Sequence, residues 1–221
     1  MTPMPRDHGG GLDAAIAQYG GTRSSWLDLS TGINPVPYPF PKLSADAWTA
    51  LPDENALHLL LDRARSYWTV PKDAGVLAAP GASALIAQLP HLVTPGRVAI
   101  PGPTYNEHGA AFRHGGWTLD DDGMDAFVAV RPNNPDGLLW DEKILQAPFT
   151  IIDESFCDVT PDQSLIHLAG RKGTIVLKSF GKFWGLAGLR LGFAITTPDI
   201  AAKIRVEIGP WAASGPALEI G

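Results

Sequence analysis

The sequence predicts an α/β fold: a mostly parallel, doubly wound sheet of seven strands, preceded by an N-terminal arm. Three observations carry this. Seven short apolar runs read as strands: Gly75 to Ala79, Arg97 to Ile100, Gly116 to Leu119, Ala126 to Val130, Phe149 to Asp153, Thr174 to Lys178 and Leu189 to Thr196. Helical patterns separate several of them, as Ala82 to Val93 separates the first two, and this alternation is the signature of parallel strands joined by crossovers. The 24 glycines and 20 prolines punctuate many loops, as expected where a site is assembled from strand ends.

The elements follow in order. His8-Gly9-Gly10-Gly11 precedes a short helical pattern, Leu12 to Tyr19, that stops at Gly20-Gly21. Leu27 to Pro35 reads as a strand-like piece ending in turn chemistry, and Pro35 to Pro41 as a proline-rich connector. Asp53 and Glu54 open a helix whose apolar positions Leu57, Leu60, Leu61, Ala64 and Tyr67 share a core face, closed by Pro71. Asp199 to Ile208 reads as the last long helix.

Composition narrows the partners. Hydrophobic residues make up 45% of the 221, ample for a core, and the formal net charge of -6 offers no basic face for nucleic acid or anionic lipid. Cys157 is alone and the six histidines lack zinc-type spacing, which excludes a disulfide framework and predicts no structural metal. Met1 to Asp7 has no apolar leader character and no apolar segment is long enough to span a bilayer, so a cytoplasmic protein with a small-molecule partner is expected.

The stretch TIVLKSFGKFWGLAGLRLGFAIT, Thr174 to Thr196, carries the chemistry. A strand breaks at Ser179-Phe180-Gly181, and Lys182 follows among Phe180, Phe183, Trp184, Leu186 and Leu189, apolar neighbours that disfavour an ammonium and so make a nucleophilic amine. Eight residues on, Arg190 stands between small residues that let its guanidinium approach an anion. A lysine at a solvated turn is the plain alternative. A phosphate loop fails, because Val176 occupies the first glycine position and Phe183 replaces the hydroxyl residue.

The string S-F-G-K-F-W-G-L-A-G-L-R-L-G resembles the Schiff-base segment of fold-type I pyridoxal-phosphate (PLP) enzymes, of the aminotransferase class that includes histidinol-phosphate aminotransferase, and more narrowly the threonine-phosphate decarboxylases. The resemblance implies PLP as cofactor, Lys182 as its covalent partner and Ser179 and Arg190 as part of the cradle for its phosphate. It also implies residues 41-209 as the PLP-binding large domain, residues 1-40 as an arm folding over the site, and a homodimer acting on a small phosphorylated amino acid. Residues 210-221 would begin the connection to a smaller C-terminal domain that is missing here, together with the arginine that clamps the substrate carboxylate in relatives.

The same resemblance assigns the strand ends. Pro80-Gly81-Ala82-Ser83 places backbone N–H groups and a hydroxyl at a helix start, an anion site taken for the cofactor phosphate; Ser83 as a simple N-cap is the alternative. Tyr105 matches the ring that stacks on the pyridine, with a packed loop tyrosine as the bland reading. Asn134, in the P-N-N-P-D-G turn, matches the hydrogen-bond donor to the phenolic oxygen, although Asn-Pro and Asp-Gly alone make only a tight turn. Asp153 would sit under the pyridine nitrogen; a magnesium-binding carboxylate of an ATPase is the rival. His8 and Asn34 match positions that hold the substrate phosphate and carboxylate. Two residues depart from the class: Leu51 and Phe156 stand where many relatives carry tyrosine.

Three functions remain in view. The first is decarboxylation of L-threonine O-3-phosphate to aminopropanol phosphate for the cobalamin side chain. The others are a histidinol-phosphate-type aminotransferase and a non-catalytic PLP-fold scaffold.

Overall fold

A computed structural model describes residues 8-122, 125-142 and 147-221; Met1 to Asp7, read above for a leader, lie outside the described residues. The arm carries α1 (Leu12–Tyr19), and α2 (Asp46–Thr49) and α3 (Glu54–Tyr67) lead into the sheet. There follow β1 (Gly75–Ala79), α4 (Ala82–Gln88), β2 (Arg97–Ala99), α5 (Asn106–His114), β3 (Thr118–Leu119), β4 (Ala126–Val130), β5 (Phe149–Asp153), β6 (Thr174–Ser179), β7 (Gly192–Thr196), α6 (Pro198–Ile208) and α7 (Gly215–Ile220).

The sheet runs in the order β1-β7-β6-β5-β4-β2-β3. Strand β7 is antiparallel to both β1 and β6, and the remaining pairs are parallel. Every residue of β4, β5 and β7 is buried, as covering both sheet faces demands and as near-continuous apolar strands allow. On one face Phe127, Ile152, Val176 and Phe193 pack with Leu60 and Ala64 of α3, Trp68, and Ala217 of α7. On the other, Val128, Ile151, Ile175 and Leu177 pack with Leu85 of α4, Phe112 of α5 and Ile204 of α6. The parallel strands end at one edge of the sheet, and the pairings Ala79↔Gly192 and Ser179↔Gly192 bring the start of β7 to that same edge.

Several expectations are corrected. Leu27 to Pro35 forms no strand: Leu27 and Leu29 are exposed and the segment pairs with no described strand, so its alternation has no sheet to register against. Strand β7 starts at Gly192, because Ala187–Leu189 is a 3-10 turn and Arg190 adopts the left-handed conformation (φ 53°, ψ 51°), which cannot join a ladder. Strand β3 loses Gly116, whose φ is +83°. The helix expected to reach Val93 tightens to 3-10 geometry at Leu89–His91, where Pro90 lacks the N–H that an α-helix needs. Tyr67, expected in the core, is 58% exposed at the end of α3, its ring edge-on to Trp68 and Trp184.

Residues 210-221 hold α7, capped by Ser214, whose side chain accepts from the Ala217 N–H. Glu219 accepts from the Ser44 backbone N–H at 2.9 Å and from its hydroxyl at 2.8 Å, fastening α7 beside α2.

Candidate active site

Lys182 follows β6 by three residues and is half-buried. Burial pushes its pKa down, and the Asp153 carboxylate acts against that. The apolar setting expected from its chain neighbours arises differently. Phe180 stacks on Trp184 at 5.4 Å and packs against the Trp68 and Phe193 rings of the core, while the ring under the Lys182 ammonium is Phe156, 5.3 Å from Nζ. Sequence alone places Phe156 three residues past Asp153; only the fold turns it toward the amine.

Asp153 ends β5 and is buried. Its Oδ1 accepts from the Ser155 backbone N–H at 3.0 Å and from its hydroxyl at 2.6 Å. Its Oδ2 lies 2.8 Å from His108 Nε2. Burial raises the carboxyl pKa, but the His108 bond and charge and the two Ser155 bonds outweigh it, so the group is held below its ordinary value. Sequence reasoning missed His108. A signal was present: His108 precedes Phe112 by one helical turn, so a polar residue occupies the core stripe of α5.

Some of the candidates line a cavity of about 1240 Å³ between the arm and the sheet edge, while Asp153, Ser179, Arg190 and Asn34 are not among its lining residues. Lys182, Ser83, Tyr105 and Asn134 line it, as does His8 from the arm. Ser83 is not an N-cap: that position is Gly81 (φ +87°), and Ser83 lies exposed in the first turn of α4. Arg190 packs on Gly81 so closely that a Cβ there would sit 2.5 Å from Nη2, and its Nη1 donates to Ala187 O at 3.1 Å. Gly192 is equally constrained, since a Cβ would run into the Ala82 backbone nitrogen. These two glycines let Arg190, the head of α4 and the end of β6 converge. Ser179 Oγ accepts from the Gly181 N–H at 3.2 Å.

Tyr105 stands at the head of α5, edge-on to His108 at 6.0 Å. Its pKa is pushed up by burial first and by Glu107 next, with the Ser83 side chain acting the other way. The two asparagines of the β4 turn divide their duties. Asn133 is buried, accepts from Thr104 Oγ1 at 2.6 Å and donates to Pro103 O at 3.0 Å, which ties the two loops together; Asn134 faces the cavity.

The arm reaches the site at two points. His8 Nε2 lies 3.0 Å from Glu107 Oε1. Asn34 does not reach out with its side chain: Nδ2 donates to Phe183 O at 2.9 Å and Oδ1 accepts from the Val36 N–H at 3.0 Å, while its backbone N–H donates to Lys182 O at 3.0 Å. Here Asn34 fastens the arm to the lysine loop. A smaller concavity of about 350 Å³, lined by Leu57, Ile208 and Leu218, lies elsewhere and includes neither Lys182 nor Asp153.

These groups form a donor set. Asp153 offers a buried ionised carboxylate, Lys182 a half-buried amine whose charged form burial disfavours, and Arg190 a guanidinium packed on Gly81 beside the head of α4. That set fits a flat heteroaromatic ring with a basic nitrogen, a carbonyl and a phosphate. Among the described residues, no group of three or more His, Cys, Asp or Glu could hold a metal ion, and no helix is long and apolar enough to cross a membrane.

Comparison with known proteins gives the family. The profile of the aminotransferase class I and II family matches residues 118-220. The chain is 40% identical to a threonine-phosphate decarboxylase of Sinorhizobium over 98% of its length and 70% of that relative's. It is 36% identical to a threonine-phosphate decarboxylase of Pseudomonas aeruginosa, over 97% and 69%. Its fold superposes on histidinol-phosphate aminotransferase from Clostridium acetobutylicum with a TM-score of 0.70 at 24% identity, covering 86% of this chain and 66% of that one. The chain belongs to the class I and II aminotransferase family of fold-type I pyridoxal-phosphate enzymes, in company with the threonine-phosphate decarboxylases.

Proposed function

We propose that the protein is a PLP-dependent lyase that decarboxylates L-threonine O-3-phosphate to (R)-1-amino-2-propanol O-phosphate, a step serving cobalamin biosynthesis. The identity to threonine-phosphate decarboxylases over nearly the whole chain is the observation that carries this choice of reaction.

Bound PLP supplies an electron sink for the pair released when a bond to the substrate α-carbon breaks. Gly81, Ala82, Ser83, Ser179 and Arg190 would hold its phosphate, Tyr105 would cover the ring, Asn134 would donate to the phenolic oxygen, and Asp153 would keep a proton on the pyridine nitrogen. Lys182 would be its covalent partner and, with the substrate amine in its place, the group positioned to move a proton at the α-carbon. Over the reaction the substrate would lose its carboxylate as carbon dioxide and gain one proton at the α-carbon, which Lys182 Nζ is placed to deliver. The setting of Lys182 supports this role, because burial disfavours its charged form and lowers its pKa. His8 and the arm close the cavity over the substrate, with Asn34 holding the arm to the lysine loop.

The same reading makes the protein a cytoplasmic homodimer. Exposed Leu27, Leu29, Val36 and Trp48 on the arm and α2 support a second copy as cover for apolar surface.

The test is direct. The chain is incubated with PLP and then with threonine phosphate. Stoichiometric release of carbon dioxide supports the decarboxylase; amino transfer to a keto acid without carbon dioxide replaces it with the aminotransferase. Neither product, from a chain that binds PLP, leaves the scaffold.

A further inference from the structure

Asp158 lies in the 3-10 turn Cys157–Val159 that follows β5 and is 6% exposed. Both carboxylate oxygens accept from indoles. Trp68 Nε1, at the end of α3, donates to Oδ1 at 2.9 Å, and Trp184 Nε1 donates to Oδ2 at 3.1 Å. Trp184 is two residues past Lys182.

A purely ionic role for this carboxylate is the first alternative, since Lys178 is buried close by. Lys178 Nζ, however, is paired with Glu154 Oε2 at 2.7 Å and stands 3.9 Å from Asp158 Oδ1. Glu154 is in turn held by Ser164 Oγ and the Leu165 N–H, each at 2.6 Å. Lys178 therefore has its counter-ion, and the short bonds of Asp158 go to the tryptophans. Two indole N–H groups on separate elements, one buried and one part-buried, need acceptors, and one carboxylate with two oxygens serves both.

We propose that Asp158 is a positioning residue for Lys182: by holding the Trp184 indole from the core side, it fixes the short loop that presents the reactive amine to the cavity. The loop is gripped from its other side by the arm, where Asn34 and Tyr38 N–H groups donate to the carbonyls of Lys182 and Trp184 at 3.0 and 2.8 Å. Within the loop, Gly185 N–H donates to Lys182 O at 3.1 Å, and Leu186 N–H to Phe180 O at 3.2 Å. Stacking of Trp184 on Phe180 completes the clamp. With Asp158 withdrawn, the indole N–H loses its buried acceptor, the loop loosens, and water reaches Nζ. The inference rests on Lys182 being the reactive amine.

The expected signature has a sign that separates positioning from charge. Burial is what depresses the Lys182 pKa, so a loosened loop lets it rise toward the ordinary lysine value of about 10.4. Loss of a nearby negative charge acting directly would lower it instead. The titratable groups beside Lys182 are Asp153 behind it and His8, Asp28, Tyr105 and Glu107 around the same cavity, and none of these is altered in the variants below.

The test measures Lys182 in the unloaded chain. Amines are acylated competitively across a pH series, and the Lys182 peptide is quantified by mass spectrometry for wild type, Asp158→Asn, Trp184→Phe, their combination and Trp68→Phe. Supporting results are an upward midpoint shift in Asp158→Asn and in Trp184→Phe, no further shift in the double variant, and an unmoved midpoint in Trp68→Phe. A rise of one unit lowers the free amine near neutrality about tenfold, and the rate at which added PLP gives a borohydride-sensitive band falls with it. An unmoved or lowered midpoint in Asp158→Asn, or an equal rise in Trp68→Phe, overturns the proposal. Should Asp158→Asn fail to fold, Trp184→Phe against Trp68→Phe decides the matter. A wild-type chain that gives no such band refutes the PLP reading, and the midpoints still judge the clamp.

Discussion

His108 Nε2 and Asp153 Oδ2 meet at 2.8 Å, both residues buried, one on α5 and the other at the end of β5. The pair joins the helix that opens with Tyr105 to the strand that carries the carboxylate, so one contact sets the distance between two walls of the site. Replacing His108 with Phe keeps a ring but leaves the carboxylate short of a donor, at a cost of roughly 2 kcal/mol. Urea denaturation of the variant measures it; an unchanged midpoint and slope would show the contact to be idle.

Asp153 also sets an acid limit on stability. Its folded pKa lies below the ordinary carboxylate value of about 3.9, so its contribution is present above that value and is lost as pH falls through the folded pKa. Thermal unfolding followed from neutrality to below pH ~4 shows this loss, and Asp153→Asn flattens that limb. An identical limb in both proteins would mean that Asp153 does not titrate differently on folding.

Gly192 tests the convergence of the cradle. A methyl group there meets the Ala82 backbone nitrogen, which cannot swing aside as a side chain would. Gly192→Ala is expected to cost about 1–3 kcal/mol and to weaken capture of PLP by displacing the head of α4. Normal stability together with normal PLP affinity would show that the sheet edge yields freely.

Cys157 is buried and its thiol is pushed up to about 12, by burial first and by Glu154 next. In the folded chain it should resist an aromatic disulfide reagent at mildly alkaline pH and react only after denaturation. Fast reaction of the native protein would place this thiol, and the turn bearing Asp158, at the surface.

Much of this architecture is legible in the sequence because each central strand is a short apolar run between turn residues. Strands β1, β4 and β5 start and stop where the runs do. The candidate site residues are read from motifs at strand ends, which is where a doubly wound sheet collects ligands. Direction was not legible. Nothing in Phe180-Gly181-Lys182-Phe183-Trp184 says that two of its rings join the core while the amine meets Phe156 from another loop. Lys178 reads as the last polar residue of a strand, and only its burial beside Glu154 reveals an ion pair. Asn34 reads as a substrate contact, yet its side chain is bonded to the Phe183 carbonyl and the Val36 N–H. Leu27 and Leu29 alternate like strand residues and lie on the surface, because alternation records a preference and not the presence of a partner.

The central claim concerns a single nitrogen. The chain is mixed with PLP, reduced with borohydride, digested and mapped by mass spectrometry. Mass added at Lys182 alone, and none at that peptide in Lys182→Ala, is the result expected. Label spread over surface lysines, or found at Lys178 with Lys182 unmodified, would contradict the account.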